Sequence, residues 1–377
     1  MHLGPSQRHI PRAAVVKQAM LVACLLYLMG SAVASAGDRS VAFRRCHGLC
    51  TRTGCGSVPA ATPHTKGHAQ GSSSAADVRT GCSPLCARSP PASQAEAWPA
   101  APISLQLLRW DCNADCSYIC MWLLEDSSRS LGGAVQKYYG KWPFTRLLGM
   151  QEPAAVLFSL LNLAAHLHCL VRFTRLTRSL SVQPAGGGAC LGSGFTHRWL
   201  WTGYMSLSIN AWLWSAVFHS RDTWLTERLD YFSAALLIFF NLFLSAARTC
   251  NLGGGGMVAV GAPLAAFLAS HLRYMHAVLF DYGYHVQVCL AAGAVQSLLW
   301  VVWTAITAPA GRRHLVAFVA LVNACMLLEI LDFPPFNDVL DAHALWHACT
   351  VPLVYLFYVF IATDAQPPDS LVKQKHT

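Results

Sequence analysis

From Pro153 to Ala362 the chain is a succession of apolar runs joined by short polar links, and this confines it to one kind of solvent. The runs lie at roughly 153–171, 199–218, 231–247, 256–271, 284–308, 315–331 and 342–362. A helix needs about 20 residues to cross the hydrocarbon core of a bilayer. In that solvent every backbone N–H and C=O must be satisfied within the protein, so runs of this length read as helices. Composition agrees. Only 12% of the 377 residues are charged and 54% are hydrophobic, whereas a soluble chain carries about 25% charged residues. The expected fold is all-α: a polytopic membrane protein built as a seven-transmembrane helix bundle, occupying 153–362. The formal charge of +9 does not make a nucleic-acid binder, because Lys and Arg are dispersed and no basic patch is interleaved with aromatics.

Residues 37–152 have a different character. Arg8, Arg12 and Lys17 precede the apolar stretch AMLVACLLYLMG, and Ala34-Ser35-Ala36 supplies small residues for cleavage before Gly37. Residues 1–36 therefore read as a secretory signal, the alternative being an uncleaved anchor. Behind it stand Cys46, Cys50, Cys55, Cys82, Cys86, Cys112, Cys116 and Cys120. An even set of cysteines behind a signal points to a disulfide-rich lumenal domain, with about 105 possible pairings and no way to choose among them. Zinc is the rival reading, weakened by the lack of any C-x-x-C pair. About 56–108 is rich in Ala, Ser, Pro and Gly and reads as a flexible insert.

Charge gives an orientation. With the cysteine-rich domain lumenal, the cytosolic segments hold Arg172, Arg175, Arg178, Arg198, Arg248, Arg312, Arg313, Lys373 and Lys375. The opposite short loops hold Arg221, Arg228 and Arg273. That asymmetry obeys the positive-inside rule. The tail, 363–377, ends KQKHT, and Lys373 and Lys375 resemble a dilysine signal read by coat retrieval machinery, which returns membrane proteins to the endoplasmic reticulum.

Chemistry is suggested by DAHALWHACT, 341–350. His343 and His347 stand four apart, so on a helix they share a face. Spacing alone decides little: 16 His in this length give roughly 0.7 such pairs by composition, and His64 and His68 repeat the spacing inside the insert. Placement adds weight. The second run ends WSAVFHSRD, with Ser215 and His219 again four apart, and Asp230 opens the third. In the derived topology all five residues lie near the lumenal membrane face, and ionisable groups within spans are costly and usually functional. Three His around Zn²⁺ with an open fourth position is a catalytic arrangement. Asp341 suits a helix N-cap. His166, His168, His271, His276 and Glu329 read as satisfied bundle residues, and Trp199, Trp201, Trp212, Trp214 and Tyr231 as an aromatic belt.

This pattern resembles the seven-span hydrolase superfamily that includes alkaline ceramidases and adiponectin-type receptors. More specifically, GKWPF at 140–144, QEPA at 151–154, NAWLWSAVFHSRDT at 210–223, LTERLDYF at 225–232, FDYGY at 280–284 and LDFPP at 331–335 resemble the post-GPI-attachment to proteins factor 3 family, as do the cysteine groups 46/50/55 and 112/116/120. Tyr139 and His285 depart from the family pattern, where His and Asn are expected. The resemblance implies removal of the sn-2 acyl chain from GPI-anchored proteins in the endoplasmic reticulum or Golgi. It implies Zn²⁺ on His219, His343 and His347, with Ser215 and Asp230 around the reacting water. The alternatives are a ceramidase-like amidase or ligand-sensing receptor on the same scaffold, or a non-catalytic factor in GPI-protein export.

Overall fold

The computed structural model describes residues 35–53, 101–182 and 197–366. Nearly all of the expected signal, most of the insert with His64, His68, Cys82 and Cys86, and the tail with Lys373 and Lys375 lie outside these residues. The described chain is helical, without a strand, and falls into two compact units.

One unit comprises the described part of Val33–Glu152 together with Pro334–Val339. It contains α1 (Val41–Thr53), α2 (Ile103–Leu107) and α3 (Cys112–Ser130). Cys46 and Cys50 are four apart on α1, and Cys116 and Cys120 are four apart on α3, so each pair occupies one helical face. The disulfides Cys46–Cys120 and Cys50–Cys116 join those faces in antiparallel order. Phe43 and Tyr138 pack beside them. The Tyr138 hydroxyl donates to Glu125, 3.0 Å away, and burial first, then the carboxylate, hold its pKa well above the ordinary phenol value. Arg146 is bonded to Asp115 at 2.6 Å and lies 3.5 and 3.7 Å from the ring centres of Trp110 and Tyr118. Arg129 forms a two-bond fork with Asp338, at 3.0 and 2.7 Å. That fork ties Pro334–Val339 into this unit.

The other unit is a bundle of long helices: α4 (Pro153–Val182), α5 (Arg198–Ser220), α6 (Trp224–Thr249), α7 (Gly254–Ala277), α8 (Tyr282–Thr307), α9 (Arg312–Leu331) and α10 (Ala342–Asp364). Six of these are long and apolar enough to cross a membrane, and α5 is the exception. The expected seven spans are thus seven helices, of which α5 fails on composition rather than length. Its 23 residues include four Trp, Asn210 and several Ser, because α5 faces protein along much of its length. Leu200 and Trp201 are fully buried. The belt reading of Trp201 is therefore corrected: it stacks on Trp300, with ring centres 6.4 Å apart, and meets Phe357 and Phe360 edge-on. Gly203 makes room for this packing, since a Cβ there would lie 2.8 Å from Phe240 of α6. Without a hydrophobic driving force between helices in lipid, such close approach supplies the attraction. The first helix also runs further than its apolar stretch, carrying Arg172, Arg175 and Arg178 on its last turns.

The aromatic core gathers the start of α5 and the end of α10. His219 lies about 27 Å further along α5 at 1.5 Å per residue. The two helices are antiparallel, so the end of α5 meets the start of α10 at the opposite end of the bundle.

Candidate metal centre

Asp341 starts α10 as expected. Its side chain accepts from the backbone N–H of Ala344 at 2.8 Å, a helix N-cap. The cap fixes the first turn of α10 and sets His343 and His347 on one face. His219 arrives from the last turn of α5.

Ring nitrogens of His219, His343 and His347 all lie within 4.8 Å of one another, and among the described residues this is the one such group of metal-ligating side chains. The Nε2 atoms of His219 and His343 are 3.3 Å apart. Two nitrogens each about 2.0–2.1 Å from a tetrahedral zinc ion stand about 3.3–3.4 Å apart, so this edge already has the right length. His219 and His347 are buried, and His343 is about one-third exposed on its side chain.

The other ring nitrogens are held from behind. His343 Nδ1–H donates to Glu329 Oε2 of α9 at 2.6 Å. The Tyr282 hydroxyl of α8 donates to Oε1 of the same carboxylate at 3.3 Å. His347 Nδ1 is 3.0 Å from Ser159 Oγ of α4, and Ser159 Oγ is 3.0 Å from Ser215 Oγ of α5. Asn162, one turn after Ser159, donates to the His347 carbonyl at 2.9 Å. Both imidazoles of α10 thus have Nδ1 engaged. Metal-ligating histidines commonly show this arrangement, which fixes ring orientation and tautomer. The donor set and its supports fit zinc.

Ser215 therefore reaches His347 through Ser159. Asp230 is buried on α6, outside the convergent histidine group. Three residues on, Ser233 accepts from Asn210 of α5 at 2.9 Å, which sets that face of α6 against α5. Trp212 meets His347 edge-on with ring centres 5.1 Å apart, so it lines the centre rather than a belt. His271 and His285 form a separate buried pair, Nε2 to Nδ1 at 3.1 Å. Sequence reasoning missed Ser159 and Asn162, which carry no signal in an apolar run. Glu329 did carry one, an acid inside a span, and the reading of it as a satisfied bundle residue left out that its partner is a candidate ligand.

Residues 102–365 match the model of the Per1-like family. The chain belongs to the Per1-like family. A mouse relative named "GPI-specific phospholipase A2-like PGAP3" is 40% identical over 70% of this chain and 79% of its own length. A zebrafish relative of the same name is 34% identical over 92% and 95% of the two chains. One from Drosophila melanogaster, named "Post-GPI attachment to proteins factor 3", is 33% identical over 94% of each. No solved structure matches the chain. The six apolar helices make it a multi-pass membrane protein. The segment matched by the family model includes the whole histidine centre.

Proposed function

We propose that this member of the Per1-like family remodels GPI anchors by metal-dependent hydrolysis of the sn-2 acyl ester. The observation that carries the reading is the convergence of three imidazoles at one end of an apolar bundle, two of them with Nδ1 already engaged. The relatives' names, with their phospholipase A2-like designation, supply the substrate class.

His219, His343 and His347 would hold Zn²⁺, which supplies an activated water and a Lewis acid for the ester carbonyl. Asp230 is the assigned general base and takes the proton from the attacking water. Burial on the α5-facing side of α6 suits it to that role. Ser215 is assigned to hydrogen-bond the developing oxyanion, with Ser159 as its resting partner. A serine nucleophile is not required once water is activated. The charge asymmetry between loops supports a lumenal position for the centre, where acyl chains of GPI lipids reach it from within the leaflet. The cysteine-rich unit is lumenal in the same reading, and the dilysine-like tail cytosolic, with residence in the endoplasmic reticulum or Golgi.

In cells lacking the protein, wild type is expected to restore removal of the original sn-2 chain from GPI-anchored proteins. His343→Ala, at equal expression, is expected to leave them unremodelled. Full remodelling by His343→Ala contradicts the hydrolase reading. Labelled ceramide supplied in parallel separates the ceramidase alternative.

A further inference from the structure

We infer that Glu329 is the positioning residue of the histidine centre, with Tyr282 as its clamp; the inference rests on the metal reading above. Both carboxylate oxygens are used. Oε2 accepts from His343 Nδ1 at 2.6 Å, and Oε1 accepts from Tyr282 at 3.3 Å. Three consecutive helices of the bundle, α8, α9 and α10, therefore meet in one chain of bonds that ends on the ring of His343.

Two consequences follow for His343. Donation from Nδ1–H to the carboxylate fixes the proton there and leaves the lone pair on Nε2, the atom that faces His219 Nε2 at 3.3 Å. A carboxylate behind the ring also makes the imidazole a stronger donor toward a cation. The carboxylate stands behind the most exposed ring of the three, at 33% against buried His219 and His347. A carboxylate within a span is costly unless it serves a partner. Here the partner is a candidate ligand rather than a Lys or Arg. Ser159 takes the corresponding place behind His347, but as a neutral hydroxyl. The two supports are unequal, and the charged one stands behind the exposed ring.

The test is zinc affinity of the purified full chain in detergent, read by competition with a chromophoric chelator. Loss of an outer-shell carboxylate typically weakens metal binding about 10–100-fold. Glu329→Leu is expected to weaken zinc by that factor and Tyr282→Phe by less. The control is Asn323→Leu on the same helix, which breaks the bond to Ser297 at 3.1 Å and loosens the α8–α9 packing without touching His343. It is expected to leave zinc affinity within about twofold of wild type. Should Glu329→Leu fail to fold, Glu329→Gln carries the test: it keeps an acceptor, loses the charge, and is expected to weaken zinc about 10-fold. Affinity unchanged in the Glu329 variants, or reduced equally by Asn323→Leu, overturns the positioning role while leaving the metal reading standing. A wild-type chain that binds no zinc overturns both.

Discussion

Protein purified with His219→Ala is expected to lose its zinc. The loss should exceed the roughly 100-fold that removal of a second-shell support can cost, because a ligand itself is gone. The reason lies in the architecture. His343 and His347 share one turn of α10, and His219 is the candidate ligand from α5, so its removal leaves two imidazoles on a single helix. Zinc per chain after dialysis against a chelator checks this, with His166→Ala as comparison. His166 is also a buried span histidine, but it packs edge-on against Tyr204 with ring centres 5.8 Å apart and lies outside the cluster. His166→Ala should keep stoichiometric zinc. Equal zinc in both variants would mean that the ligands are wrongly assigned.

Asp364→Ala is expected to destabilise the bundle by about 3–5 kcal/mol, the range for leaving one partner of a buried ion pair uncompensated. Arg248, at the end of α6, donates from Nε to both Asp364 oxygens at 2.9 Å and from a terminal nitrogen to Oδ1 at 2.6 Å. The carboxylate is 4% exposed and the guanidinium 17%. Arg248 also lies 4.6 Å from the centre of the Trp303 ring, so it cannot swing to solvent without leaving that contact. The pair closes the end of the bundle opposite the histidines. Thermal unfolding in detergent should show the loss. The double variant Arg248→Met with Asp364→Leu should recover much of it, because no charge is then left buried. A Tm for Asp364→Ala equal to wild type would show that the pair contributes nothing.

Helix positions were legible in the sequence because the bilayer demands long apolar runs, and the run is the signal. The second was recognised as a run of the right length although its own hydropathy is low. Trp201, Trp212, Asn210 and Ser215 face neighbouring helices, and hydropathy alone cannot register that. The clustering of the candidate ligands was legible for a different reason. Four-residue spacing places Ser215 with His219, and His343 with His347, on single faces, and topology brings those faces to one end. What stayed hidden depends on how helices are rotated about their axes. Ser159 behind His347 and Tyr282 behind Glu329 are contacts between helices, and no spacing along one chain segment encodes them. The same holds for the cysteines: the i, i+4 pairs were visible, but only the antiparallel course of α1 and α3 selects Cys46–Cys120 and Cys50–Cys116.

The central claim is that this centre cleaves the sn-2 ester of a GPI lipid. It is tested most directly by presenting a GPI-anchored protein with a labelled sn-2 chain to purified, zinc-loaded protein in lipid bilayers. The expected result is release of the labelled fatty acid and formation of the lyso lipid, more than about 100-fold above the His343→Ala variant. Zinc-loaded wild type that releases no fatty acid, or releases it no faster than His343→Ala, would contradict the claim.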